Sequence, residues 1–317
     1  MTSQILRTSK VDMKCRLGSL ALPNPVMTAS GTSGHGNELD AFFNLSDLGA
    51  VVVKSLAHFE WKGNLPLRVT PCSGGMLNSV GLAGPGIDVW IDQYLPALVQ
   101  SGARVVASIW GRSVSDYVRA AEKLVQNKYA VENIIAVELN VSCPNLEDSR
   151  YMFSHSAATT GKVVSEFKNA CNVPIWTKLS PNVPNIIDIA SAALEAGSES
   201  LTLVNTLIGM AIDIESRKPK LGGITGGLSG PALHPVALRC VYECRREFPE
   251  AAIVGVGGIS GVESALEMIM AGANAIQVGT ATFVDPKAPM KVLVELQSWC
   301  NENGVEKITD LVGVSHN

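Results

Sequence analysis

Residues 252–280, AIVGVGGISGVESALEMIMAGANAIQVGT, decide how the chain is read. Two short runs rich in β-branched residues, Ala252–Gly257 (AIVGVG) and Ala275–Thr280 (AIQVGT), flank a stretch, Val262–Ala271, whose apolar residues recur at helical spacing. Both runs are near-continuously apolar rather than alternating, as a parallel strand covered by helices requires. Each ends in small or polar residues, where a strand gives way to a turn. This is a strand–helix–strand unit, and the fold depends on how often it recurs.

Six further runs of the same kind precede it: Pro25–Ser30 (PVMTAS), Ala50–Ser55 (AVVVKS), Arg104–Ile109 (RVVASI), Ala136–Val141 (AVELNV), Pro174–Leu179 (PIWTKL) and Ser200–Asn205 (SLTLVN). Between them, Ser113–Gln126, Thr160–Cys171, Ile186–Ala196 and Pro235–Phe248 read as helices, with apolar residues at helical spacing and small or polar residues near their ends. An open doubly wound sheet fits the spacing of single units equally well. The strand count selects a (β/α)8 TIM barrel instead. Two connections are too long for a bare helix, so Leu56–Gly102 after the second strand and Thr206–Pro249 after the sixth are expected to carry inserted loops. Residues 1–24 precede the barrel, and CRLGSLALPNP within them reads as a hairpin that plugs its bottom. With no linker, repeat or low-complexity segment, residues 1–317 are read as one domain.

Composition narrows the function. A chain of 317 residues with 46% hydrophobic content buries one large core, and its 29 glycines suit many strand-to-helix turns. A net charge of -4 argues against a nucleic-acid surface and leaves small anionic substrates to local basic groups. The seven cysteines include no CxxC pair and read as reduced thiols. Cys240 and Cys244 stand one helical turn apart, but no second pair completes a metal site. The start, MTSQILRTSKVDMKCR, lacks the apolar stretch of a signal peptide, and no run approaches the ~20 apolar residues of a membrane span. A soluble, cytoplasmic protein is expected.

A barrel of this kind does its chemistry at the C-terminal ends of its strands. Those ends carry Ser30, Lys54-Ser55, Ser108, Asn140, Lys178, Asn205, Gly257-Gly258 and Gly279-Thr280. Any one lysine there can simply reach out to solvent. Two beside polar amides at one mouth point to a site. GVGG alone is also a tight turn; followed by GT one strand later, it offers backbone N–H groups and a hydroxyl to a phosphate. SGPA at 229–232 opens another helix and adds Gly230. In Asn140-Val141-Ser142-Cys143-Pro144-Asn145 a cysteine is displayed at a strand end beside a proline. It is either an inert thiol or, with an unperturbed pKa near ~8.5, a nucleophile or base. The flanking asparagines suit a planar substrate rich in amide groups.

NVSCPN, Lys54-Ser55, NSVGL at 78–82, KLSPNV at 178–183, NTLIGMAID at 205–213, GGLSGPA, GVGG and QVGT together resemble the class 1 dihydroorotate dehydrogenases, from Leu17 to about Pro286. GMAID and GGLSGPALHPVALR look most like the class 1B catalytic subunits. The resemblance implies FMN as cofactor and oxidation of dihydroorotate to orotate, a step of pyrimidine biosynthesis. It makes Cys143 the base that takes a proton from C5 while a hydride leaves C6 for flavin N5. Lys178 would stabilise the negative charge of the reduced ring, and Lys54 would touch both flavin and substrate carboxylate. Asn78, Ser79, Val80, Gly81, Leu82, Asn140, Asn145, Asn205 and Thr206 would hold the pyrimidine together with Lys54. Ser30, Lys54, Ser55, Ser108, Asn140, Lys178, Val204, Gly230, Gly257, Gly258, Gly279 and Thr280 would hold the flavin and its phosphate.

The implied assembly is a homodimer that docks an electron-transfer subunit bearing FAD and an iron–sulfur cluster, with NAD as final acceptor. The chain itself offers no Rossmann fingerprint and no cysteine set for a cluster. It also departs from the family pattern. Ser108 stands where members usually carry Asn, Ala83-Gly84 replace Gln-Asn after NSVGL, and LEDSRYMF lacks the usual glycine pair. Alternatives therefore stay open: a related flavin pyrimidine oxidoreductase acting on a substrate without a carboxylate, and a fumarate-using class 1A enzyme. A sugar-phosphate isomerase would need a carboxylate base, which these strand ends do not supply.

Overall fold

The structure, a computed structural model, describes residues 11–142 and 152–317. Eight parallel strands form the expected barrel: Val26–Thr28, Val51–Val52, Val105–Ile109, Ile134–Asn140, Ile175–Leu179, Ser200–Leu203, Ala252–Val256 and Ala275–Val278. Neighbours in sequence are neighbours in the sheet, and the eighth strand returns to the first through Ile276–Val278 against Val26–Thr28. A parallel bridge between Met27 and Ala50 closes the ring.

Helices cover the outside. Val114–Gln126 begins with a reciprocal cap: Ser113 Oγ accepts from the Asp116 N–H at 3.3 Å, and the Asp116 carboxylate accepts from the Ser113 N–H at 3.1 Å. Ala157–Ala170, Ile186–Glu195, His234–Glu247 and Val262–Met270 follow, each burying one stripe against the strands. Cys240 and Cys244 face the core from His234–Glu247, and burial pushes the Cys240 thiol up to about 11. Between the first two strands the described chain makes only 3-10 turns, Glu38–Ala41 and Leu45–Asp47. That connection, GTSGHGNELDAFFNLSDLG, spreads glycines through its length, which disfavours a covering helix. No described helix is long and apolar enough to cross a membrane.

Alternation along the strands sorts the barrel interior into layers. At the bottom, Met27, Val52, Val106, Ala136, Trp176, Val254 and Ala275 pack with Cys15, Leu17 and Leu22 of the antiparallel hairpin Cys15–Leu17/Leu20–Leu22. Two residues further along the same strands come Ser108, Glu138, Lys178 and Gln277, all buried. Polarity thus rises toward the C-terminal mouth, because each step of two keeps the same inward face.

The two long connections do not remain loops. Val69–Cys72 and Gly75–Asn78 from the first pair with Leu207–Met210 and Thr225–Ser229 from the second in a four-stranded antiparallel sheet. Glycines permit the approach: a Cβ on Gly226 would meet the Asn78 carbonyl oxygen at 2.5 Å, and one on Gly227 would meet Thr206 Oγ1 at 2.1 Å. Helices Ile87–Gln93 and Leu95–Gln100 complete the first insertion.

Candidate active site

A cavity of about 410 Å³ opens at the C-terminal mouth, roofed by the four-stranded sheet through Met76, Asn78, Ile208 and Gly227. Ser30, Lys54, Ser55, Asn78, Ser79, Val80, Gly81, Leu82, Asn140, Lys178, Val204, Asn205, Thr206, Gly230, Gly257, Gly258, Gly279 and Thr280 all line it. Ser108 does not; it stands behind the wall, its hydroxyl 2.8 Å from that of Ser55. Cys143 and Asn145 lie outside the described residues, as does most of LEDSRYMF.

A chain of hydrogen bonds ties the strand ends into one surface. Asn140 Nδ2 donates to Ser55 Oγ at 3.2 Å, and Asn205 Nδ2 donates to Asn140 Oδ1 at 3.1 Å. The Ser142 N–H also donates to Asn140 Oδ1, at 3.2 Å, and the Thr206 N–H to Asn205 Oδ1, at 2.9 Å. Asn140 is held from behind as well, where Tyr117 Oη donates to its carbonyl at 2.8 Å. The ends of the second, fourth and sixth barrel strands are thereby fixed relative to one another, which preorganises whatever they bind.

Opposite this amide wall is a corner of backbone. Gly257 and Gly258, at φ +139° and +69°, follow the seventh strand, and Gly230, at φ +98°, precedes His234–Glu247. A Cβ on Gly258 would meet the Gly230 carbonyl at 2.8 Å, so these turns touch and tolerate no side chain. Thr280 Oγ1 donates to Ser229 Oγ at 2.8 Å beside them.

The two lysines sit in different electrostatic settings. Lys54 is half-buried, and burial, then the nearby Arg68 charge, hold its ammonium below the usual lysine range. It makes no ion pair among the described residues, so an anion in the cavity would relieve it. Its cation in turn helps burial pull the neighbouring His35 imidazole down to about 4. Lys178 is deeply buried, with its Nζ 3.5 Å from Glu138 Oε1. Among the described residues the wall carries no carboxylate, imidazole or thiol.

Several residues of the site were not singled out in the sequence. Asn182 donates to the Thr206 carbonyl at 2.9 Å and accepts from the Ile208 N–H at 2.9 Å, which fixes the loop over the cavity. It stood in the quoted KLSPNV, four residues beyond Lys178. Ser229 and Met76 belong to the roof strands, whose glycine-rich sequence reads as loop. Glu138 is the one charged residue in the strand Ile134–Asn140, and its sequence signal is its place two residues before Asn140 on the same face.

A closed (β/α)8 barrel whose mouth joins an amide wall, two lysines and a glycine corner is an enzyme barrel built for a small polar ligand. The chain belongs to the dihydroorotate dehydrogenase family, whose sequence profile matches residues 13–299. It is 41% identical to the dihydroorotate dehydrogenase B (NAD(+)) catalytic subunit of Pelobacter propionicus, over 96% of this chain and 98% of that one. Proteins of the same description from Alkaliphilus oremlandii and Desulforudis audaxviator are each 42% identical, over 95% and 97% of this chain and 98% of their own. The resemblance to class 1B catalytic subunits, read first from GMAID and GGLSGPALHPVALR, extends over nearly the whole chain.

Proposed function

We propose that the chain binds FMN and oxidises dihydroorotate to orotate, passing electrons to NAD through a partner subunit. The observation that carries the reading is the composition of the wall: two lysines and a chain of amides at one mouth, with no acid among its described residues. Such a wall attracts an anionic, amide-rich ring.

The residues present fit FMN. Thr280 and the turns Gly257-Gly258, Gly279-Thr280 and Gly230 would hold its phosphate, the backbone supplying N–H donors that no side chain obstructs. Ser30, Ser55 and Val204 would border the ring system, with Ser108 acting through Ser55. When bound, FMN supplies the acceptor for the hydride that leaves C6 of dihydroorotate. Lys178 would place a positive charge beside that acceptor. Lys54 would bind the substrate carboxylate, consistent with a half-buried ammonium that lacks a described counter-charge. Asn78, Asn140 and Asn205, with the 79–82 segment and Thr206, would match the donors and acceptors around the pyrimidine edge. Asn145 is assigned to the same edge from its place in NVSCPN.

The proton from C5 needs a base that the described wall does not contain. Cys143 follows Ser142, a lining residue, and we assign the base to its thiolate. The names of the relatives support NAD as acceptor and a second subunit, for which we infer FAD and an iron–sulfur cluster as the relay. Leu65, Ile208, Ile214 and Ile224 leave apolar surface exposed around the mouth sheet, of the kind that a subunit or a second copy in a homodimer covers. The test is anaerobic: the purified yellow protein should bleach on addition of dihydroorotate. It should recover with NAD only when the co-purified partner is present. Full-speed recovery with fumarate and no partner would instead mark an A-type enzyme, and a protein that takes up no FMN would overturn the reading.

A further inference from the structure

Among all described residues that are buried, only Glu138 and Lys178 belong to charged types, and they face each other inside the barrel. Resting on the flavin reading above, we propose that Glu138 and Gln277 are positioning residues that aim the Lys178 ammonium into the cavity.

The geometry is a three-residue clamp drawn from three strands. Gln277 Nε2, on the eighth strand, reaches across the barrel and donates to Glu138 Oε2, on the fourth, at 2.6 Å. That bond orients the amide so that its Oε1 accepts from Lys178 Nζ at 3.4 Å, while Glu138 Oε1 lies 3.5 Å from the same nitrogen. Both contacts to Nζ are long, so the ammonium is suspended between two oxygens rather than drawn into a tight pair. An ammonium has three N–H donors. One donates to Gln277 Oε1, Glu138 Oε1 draws the ammonium as a charge without accepting a hydrogen bond, and the other donors are left for the cavity that Lys178 lines.

An apolar layer would have been the simpler filling. Immediately below, Met27, Val52, Val106, Trp176 and Val254 fill the barrel without charge. Exchanging a buried ion pair for apolar groups is often neutral or stabilising, so packing alone gives no reason for this pair. The reason lies in the lysine. Its four-carbon stem is flexible, and a cation acts on an arriving electron pair only if it is already in place. Glu138 and Gln277 do not line the cavity, so they act through Lys178, which does.

The test uses FMN-loaded protein carrying Glu138→Ala, Glu138→Gln or Gln277→Leu. For each, the flavin content, the midpoint potential of the bound flavin, the rate of anaerobic reduction and the dihydroorotate affinity are measured. Glu138→Ala should slow reduction by about 100-fold and shift the potential to more negative values. Dihydroorotate affinity should change by less than about threefold, because its contacts lie elsewhere. Gln277→Leu should move the same two quantities in the same direction by less. Glu138→Gln should recover part of the alanine variant's loss, since its amide offers the clamp one oxygen where the carboxylate offered two. A fully loaded Glu138→Ala protein with wild-type potential and rate overturns the proposal, as does a Glu138→Gln protein no better than Glu138→Ala. If Glu138→Ala holds no flavin, Gln277→Leu decides, and its wild-type potential is the refuting result. Should dihydroorotate fail to reduce even the wild type, the substrate reading fails; the potentials, measured without substrate, still judge the clamp.

Discussion

Replacing Lys178 with Met removes one charge from a buried pair and strands the other. Methionine keeps an unbranched stem in the same channel, so the change is chiefly one of charge. With Nζ and Glu138 Oε1 3.5 Å apart, an effective dielectric of about 20 gives a Coulomb attraction of ~5 kcal/mol. Breaking such a pair from one side costs about 3–5 kcal/mol, because a carboxylate stays buried without its partner. Glu138 is 0% exposed and keeps only the Gln277 bond. Lys178→Met should therefore lower the melting temperature by roughly 5–10 °C in a chain of this size. Adding Glu138→Gln removes the stranded charge, keeps an oxygen for Gln277, and should restore most of that fall. Flavin reduction should behave differently, remaining about 10²–10³-fold slow in both variants, since neither has a cation beside the acceptor. Melting at several scan rates, with single-turnover reduction by dihydroorotate, separates the two effects. A double variant that melts no higher than the single one refutes the stranded charge. Wild-type reduction in both removes Lys178 from the chemistry.

Cys143→Ser should fold and keep its flavin, yet lose about 10²–10⁴-fold in turnover near neutral pH, with its pH–rate profile displaced to alkaline values. Wild-type turnover at pH 7 would take the base role from Cys143. Lys54→Met should weaken dihydroorotate binding by about 10–100-fold, the worth of a hydrogen bond to a charged group, while leaving the visible spectrum of the bound flavin in place; an unchanged KM would place the carboxylate elsewhere. Burial, reinforced by Lys54, pulls His35 down to about 4, whereas the unfolded chain keeps the ordinary ~6.5. The unfolded state therefore takes up a proton first on acidification, so stability present above ~6.5 is lost as pH falls toward about 4. His35→Gln should flatten the melting temperature between pH 7 and 4.5, and an equally steep decline would show that other groups govern it.

Barrel strands are legible because burial on both faces leaves continuous apolar runs, and all eight runs stand as strands in the structure. The roof sheet was not legible, because its strands read as loops for a physical reason. Gly226 and Gly227 are there to let backbones touch Asn78 and Thr206, and glycine is also the commonest mark of a turn. The amide wall is legible residue by residue from strand ends, whereas the clamp beneath it lies inside the strand runs AVELNV and AIQVGT. Yet the period of two was enough to place it. Ala136 packs at the bottom of the barrel, which sets Glu138 one layer up and Asn140 at the mouth. Trp176 sets Lys178 in the same way, and Ala275 sets Gln277 below Gly279. A charge at such a position cannot reach solvent sideways through the sheet. Its partners must then be the inward residues of other strands at the same height, and here those are Glu138, Lys178 and Gln277. Strand ends alone locate the surface of a barrel site, while the parity of each strand locates the side chains that hold that surface from below.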